Sequence, residues 1–341
     1  MPLPAGSERL ERSRRNFLAL LGAGGAAGLG AGWWYHGPHE GGLTAEVFIG
    51  RAERYDAPLS DLIERGLREL GWGPEGVRGL RVLLKPNLVE PNRAHSHINT
   101  HPLVVRAAAE AFLRLGAASV TVAEGAGHVR DALLVLEESG LAEVLVEDRI
   151  PFVDLNSDSF FRVPNRGRLT RLDSLVLPAA LRQADLVVSM PKLKTHHWTG
   201  VTLSMKNLFG LMPGSAYGWP KNVFHQEGIH QSIFDIAASV PVGLAIVDGI
   251  VGMEGDGPIL GTPRQAGLLV VGANLAAVDA TCARLMGVDP RKVAYLAFAS
   301  GRLGPIREAH IAQRGEDWRA LRQPFELLDQ IPAQRGIRLA A

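Results

Sequence analysis

Short apolar runs rich in valine, isoleucine and leucine recur along this chain, and each stops at a polar, glycine or proline cluster before a helix-periodic stretch begins. Leu80–Leu84 runs into Lys85-Pro86-Asn87, and Ala118–Ala123 runs into Glu124-Gly125-Ala126-Gly127-His128. Asp185–Ser189 runs into Met190-Pro191-Lys192, and Val242–Asp248 runs into Gly249. Strand, polar loop, helix, strand in repeated order predicts a parallel sheet with right-handed crossovers. The expected fold class is therefore α/β: a mostly parallel sheet with flanking helices, in two lobes around a cleft, residues 43–190 and 191–341. Further strands are expected at Thr44–Gly50, Pro151–Leu155 and Ala266–Gly272, with an edge strand at Leu175–Leu177. Helices are expected at Ser60–Leu70, from a Thr100 cap to Leu115, and over Val129–Gly140, Ile229–Val240, Asn274–Met286 and Arg291–Ser300. Phe160–Leu172 reads as a surface loop or hairpin, and Leu211–Gln226 and Gly249–Pro258 as long loops.

Residues 1–42 stand apart from the fold. Ser13-Arg14-Arg15-Asn16-Phe17-Leu18 opens an uncharged run, Phe17–Gly32, rich in alanine, glycine and leucine. This pattern resembles a twin-arginine export signal, which implies the twin-arginine machinery as a partner and a location outside the cytoplasmic membrane. No Ala-x-Ala site precedes Trp33, which leaves an uncleaved N-terminal membrane anchor open. Net charge is +1, which gives no electrostatic footprint for nucleic acid. The single cysteine, Cys282, excludes an internal disulfide and a cysteine-ligated iron–sulfur cluster. Its apolar helical surroundings place it in the core.

Chemistry concentrates after the Asp185–Ser189 strand, from Met190 to Gly210. Lysines at strand ends hold anions as point charges, and ligands of open α/β sheets sit at the carboxyl ends of strands. Paired histidines move protons or ligate a metal, and a lysine beside other cations has a lowered pKa. On this basis His196 and Lys206, with His128 and His225, are the expected catalytic groups. Lys85, Asn87, Lys192, Lys194 and His197 are expected to bind the ligand. Asp248, Glu254 and Asp256 are a candidate set for a hard divalent metal, although their spacing does not match the calcium-loop pattern.

These same blocks carry a resemblance. Lys85-Pro86-Asn87, Thr100-His101-Pro102, Lys194-Thr195-His196 with Gly200–Gly210, and Asp248–Pro258 together resemble the family called domain of unknown function 362, over roughly residues 45–305. The resemblance implies no settled activity. Many relatives carry ferredoxin-like cysteine clusters that this chain lacks. A fainter similarity is to the nickel-pincer lactate racemases. There a histidine is followed four residues on by glycine and ten on by a cofactor-binding lysine, with a further histidine downstream. His196, Gly200, Lys206 and His225 fall at those places, and the strand end with His128 resembles that family's site for an active-site histidine. This implies a nickel-type cofactor or another anionic organic ligand. The expectation is an exported protein that binds a small anion, with or without a metal, and performs proton or hydride transfer. Two other readings stay open: a non-catalytic binding module, and a scaffold engaging a partner through the loop from Tyr217 to Phe224.

Overall fold

The computed structural model of the chain describes residues 42–127 and 131–340. The N-terminal stretch with Arg14 and Arg15, expected to be an export signal, and His128 lie outside the described residues. The strands are β1 (Ala45–Arg51), β2 (Arg81–Pro86), β3 (Ser119–Glu124), β4 (Phe152–Asp154), β5 (Phe160–Pro164), β6 (Ser174–Pro178), β7 (Leu186–Met190), β8 (Lys192–His196), β9 (Gly200–Thr202), β10 (Leu244–Glu254), β11 (Thr262–Gly272) and β12 (Ile311–Gly315). One sheet runs in the order β12-β1-β11-β10-β7-β2-β3-β4, and β8 adds to β10 with β9 beside it. Pairing is parallel from β10 through β7, β2 and β3 to β4, and between β12 and β1. β11 is antiparallel to both of its neighbours. The first strand, β1, lies among strands of the second half, so both halves of the chain share the sheet.

The period-two rule of a strand divides the core into two layers. Val47, Ile49, Leu83, Val187, Ala245 and Val247 pack on one face, with the helices Ile229–Ser239 and Leu275–Leu285. Phe48, Val82, Leu84, Leu186, Val188, Leu244 and Ile246 pack on the other, with Leu59–Glu69 and Pro102–Arg114. Burial on both faces is why these strands read as continuous apolar runs. Cys282 is buried in the first layer.

Several elements differ from the sequence-based expectation. Thr100 does not cap the helix that follows. His101 does, its Nδ1 accepting from Leu103 N at 3.2 Å, and Thr100 Oγ1 instead joins two strand ends, accepting from Asn87 N and donating to Met190 O. Leu175–Leu177 is no edge of the main sheet, since β6 pairs with β5 in a separate two-stranded sheet. Within 211–226, short helices form at Gly214–Tyr217 and Asn222–Gln226. The expected loop after Asp248 is mostly strand, because β10 continues to Glu254 against β11. Its glycines serve close packing: a Cβ on Gly252 would sit 2.7 Å from Leu193 O, and one on Gly249 2.7 Å from Leu268 Cδ1. The basic stretch after Met190 is likewise a strand. Beyond Pro191, β8 pairs parallel with β10, Asp248 opposite Lys192 and Met253 opposite Lys194, then turns back into β9.

Candidate functional site at the strand ends

The alternation of β8 puts Lys192, Lys194 and His196 on one face and Leu193 and Thr195 on the other. Leu193 anchors the strand in the core, so the three polar side chains are carried together into the region beyond β2, β3 and β7. The chain contains only six lysines against thirty arginines. Lys85, Lys192, Lys194 and Lys221 are all buried here, and Lys206 beside them is partly covered.

Two of these cations have their own anions. Lys85 closes β2 and Glu124 closes β3; Nζ donates to Oε2 at 2.7 Å, with the side chains 1% and 3% exposed. Lys85 also donates to Pro86 O at 2.7 Å and Asn207 Oδ1 at 3.1 Å, so its three ammonium hydrogens are spent within the protein. Glu124 further accepts from Leu88 N and Gly125 N. The backbone at Gly210 passes so close over this pair that a Cβ would meet Glu124 Oε1 at 1.9 Å and Lys85 Nζ at 2.6 Å. Lys192 donates to Asp248 Oδ2 at 2.7 Å and to Tyr55 OH at 2.8 Å. Asp248 also accepts from His101 N and Ile250 N, and Tyr55 stacks on the His101 ring at 3.6 Å. Burial, only partly opposed by their carboxylates, lowers the pKa of both lysines.

The other three lysines have no carboxylate partner among the described residues. Lys194 Nζ donates to Ile98 O at 2.9 Å and Pro258 O at 3.2 Å. Lys221 Nζ donates to Gly125 O at 3.1 Å and Phe209 O at 3.3 Å. Each thus meets two carbonyl oxygens, the number of hydrogens a neutral amine carries. Burial, then the charges of Lys192 and Lys206, hold Lys194 well below the usual lysine range. Burial also pushes Lys221 down to about 7, with Glu124 pulling upward and Lys85 and Lys206 downward. Lys206 has no hydrogen-bonding partner among the described residues and lies over the Phe209 ring at 4.2 Å. Burial and then the Lys85 charge bring it to about 8.

Lys206 is held in place from both sides. Asp279 accepts from Ser204 N at 2.7 Å, Met205 N at 3.0 Å and Ser204 Oγ, which satisfies the start of the Ser204–Asn207 turn. Asn207 Nδ2 donates to Lys85 O and Ser189 Oγ. Burial raises Asp279 to about 7, against the pull of the Ser204 and Met205 donors.

The imidazoles gather at the other rim. His196 is buried, and its Nδ1 accepts from Trp198 N at 3.0 Å. Burial, then Lys206, His197, Lys194 and His225, hold it well below the usual histidine range, so it is neutral. His197 Nδ1 lies 2.8 Å from Gly257 O. The His196 and His197 ring centroids are 4.9 Å apart, and Trp198 stands 4.9 Å from His225.

Not every expected residue joins the cluster. Asp248, Glu254 and Asp256 do not form one set: Asp248 is enclosed with Lys192, Glu254 accepts from Glu326 N, and Asp256 stands 4.0 Å from His197. An extended strand separates the first two by about 3.3 Å per residue. Among the described residues no group of three or more His, Cys, Asp or Glu side chains is placed to hold a metal ion. Asn87 Oδ1 and, opposite Lys194 on β9, Thr202 Oγ1 are buried without a hydrogen-bond partner among the described residues. A cavity of about 140 Å³ opens beside the strand ends, lined by Arg93, His95, Asn99, Thr100 and His101 but by none of the lysines. Sequence reasoning did not single out Lys221, Glu124 or Asn207 as site groups. The scarcity of lysine was the available signal for Lys221.

These features define an α/β protein with a cation-rich site at the carboxyl ends of its parallel strands. The family model described as "Domain of unknown function (DUF362)" matches residues 82–284. The chain belongs to that family. It is 33% identical over 278 residues to the thylakoid-associated protein sll1697 of Synechocystis sp., covering 77% of this chain and 80% of that protein. A crystal structure of a protein from Thermotoga maritima is a more distant likeness, at 13% identity and a TM-score of 0.34. It covers 65% of this chain and 58% of that one.

Proposed function

We propose that the protein binds a small organic anion at the strand ends, with Lys206 as the principal cation and Lys194 and Lys221 as reserves of positive charge. The observation that carries this reading is the imbalance of buried charge. Glu124 and Asp248 neutralise Lys85 and Lys192, which leaves three lysines unmatched. Buried charge without a partner is expensive, and the amines respond by releasing protons. A bound anion reverses that response. The unpartnered Asn87 Oδ1 and Thr202 Oγ1 offer acceptor positions for a hydroxyl on the same ligand.

The reading is tested by calorimetric titration with short mono- and dicarboxylates, inorganic phosphate and an uncharged alcohol of similar size. Anions bind and the alcohol does not. At about pH 8.5 binding takes up at least one proton, seen as dependence of the heat on buffer ionisation enthalpy, and at about pH 6, where Lys206 and Lys221 are already protonated, uptake is smaller. Affinity declines on the order of tenfold per pH unit above pH 8, since the anion-binding form must first be protonated. Equal binding of the alcohol, or no proton uptake at either pH, overturns the proposal.

The same reading places the protein on the outer side of the cytoplasmic membrane, supported by the Arg14-Arg15 segment and the thylakoid-associated relative. No helix of the described residues is long and apolar enough to cross a membrane. Arg14→Lys with Arg15→Lys is expected to retain the protein in the cytoplasmic fraction. Undiminished export of the double variant would reject this route.

A further inference from the structure

The adjacent histidines are not equivalent, because their Nδ1 atoms face opposite kinds of partner. His196 Nδ1 receives a backbone N–H from Trp198 and is therefore the unprotonated nitrogen of the ring. A neutral imidazole of that form carries its hydrogen on Nε2. His197 Nδ1 faces a carbonyl, Gly257 O, at 2.8 Å, which accepts only; that nitrogen carries the hydrogen, and the lone pair is on Nε2. Asp256 Oδ1 lies 4.0 Å from the same Nδ1. The His197 side chain is 36% exposed, whereas His196 is enclosed.

We infer that His197, not His196, is the proton-accepting imidazole of this site, with Gly257 and Asp256 as its positioning groups and His196 as a fixed hydrogen-bond donor. The inference rests on the anion-binding reading for its ligand, but not for the state of the two rings. In the step it describes, a proton leaves an acidic O–H or C–H of the bound anion for His197 Nε2. The bonding pair stays on the ligand as added negative charge, which Lys206 and the His196 N–H are suited to meet. The new imidazolium has the Asp256 carboxylate 4.0 Å from its Nδ1, the neutral His196 ring 4.9 Å away and the Trp198 ring 4.8 Å away, with His225 a further 4.9 Å from Trp198. A ring hydrogen-bonded through Nδ1 to an acceptor is fixed in tautomer and orientation, with its lone pair on Nε2. His196 has the opposite arrangement: burial first, then Lys206, His197, Lys194 and His225, disfavour a proton on it. Neighbouring groups whose surroundings differ in this way divide acid and base roles between them.

Long-range proton–nitrogen correlation spectra of the full chain, labelled with 15N-histidine and assigned through His196→Gln and His197→Gln, read the two tautomers directly. His196 is expected as the Nε2–H form and His197 as the Nδ1–H form; finding His197 with its hydrogen on Nε2 overturns the inference. Diethyl pyrocarbonate, which acylates an imidazole lone pair, gives a second readout on the wild-type protein by peptide mass spectrometry. His197 is expected to react about tenfold faster than His196, and the reverse order overturns the assignment. Both measurements need no ligand. An error in the tautomers therefore leaves anion binding to be judged by its own titration, and a failed titration leaves the tautomers standing.

Discussion

Glu124→Gln is expected to cost about 3–5 kcal/mol of folding stability at neutral pH, the loss typical when one member of a buried ion pair is neutralised. The shape of the side chain survives, so the effect is electrostatic. Lys85 keeps its burial and loses the carboxylate 2.7 Å from its Nζ. It is then one more unmatched positive charge beside Lys206 and Lys221, whose pKa values its own charge already depresses. An amide at this place also serves the Leu88 and Gly125 N–H groups less well, because one of its two ends is a donor. Lys85→Met combined with Glu124→Gln is expected to recover a large part of the loss, since it removes the uncompensated buried ammonium that the single change leaves behind. Urea denaturation at pH 7 of the wild type and the two variants decides the matter. A cost below about 1 kcal/mol for the single change would show the pair to be solvated and of little weight.

Most of the sheet was legible in the sequence, and the reasons are local. Leu80–Leu84, Ala118–Ala123, Asp185–Ser189 and Val242–Asp248 lie close to β2, β3, β7 and the first half of β10, because strands buried on both faces leave an unbroken apolar signature. The gathering of Lys85, Glu124 and the Lys192–Lys206 stretch at one end followed from parallel topology alone. What stayed hidden depends on contacts between distant residues. Lys192–His196 reads as a basic loop because its alternation is short and its buried face is lysine, a residue seldom fully buried. Only pairing with β10 makes it a strand. Gly249–Glu254 reads as flexible for its glycines, which in the fold admit Leu193 and Leu268. Asp248 reads as a metal ligand because a strand-end carboxylate shows its charge in the sequence but not its partner, Lys192. Thr100 fits the statistics of a helix cap, yet its hydroxyl is taken by two strand ends and His101 caps instead.

The central claim is that this site carries more buried positive charge than its own carboxylates can balance, and that an anion makes up the difference. Lys206→Met tests it most directly. The amine has no hydrogen bond to lose among the described residues and already packs on Phe209, and methionine keeps an unbranched side chain as far as the ε carbon without the charged amine. Its folded pKa, about 8, lies below the ordinary value of about 10.4. Falling pH therefore protonates the unfolded chain first: the lysine costs nothing above about pH 10.5, its cost grows down to pH 8, and below that it is constant. Methionine removes that cost. Denaturation at pH 7 is thus expected to show the variant more stable than the wild type by about 1–3 kcal/mol, an advantage that vanishes towards pH 10.5. Titration of the same samples is expected to show anion affinity reduced at least tenfold. A variant less stable than wild type at pH 7, or one that binds the anion undiminished, would contradict the account.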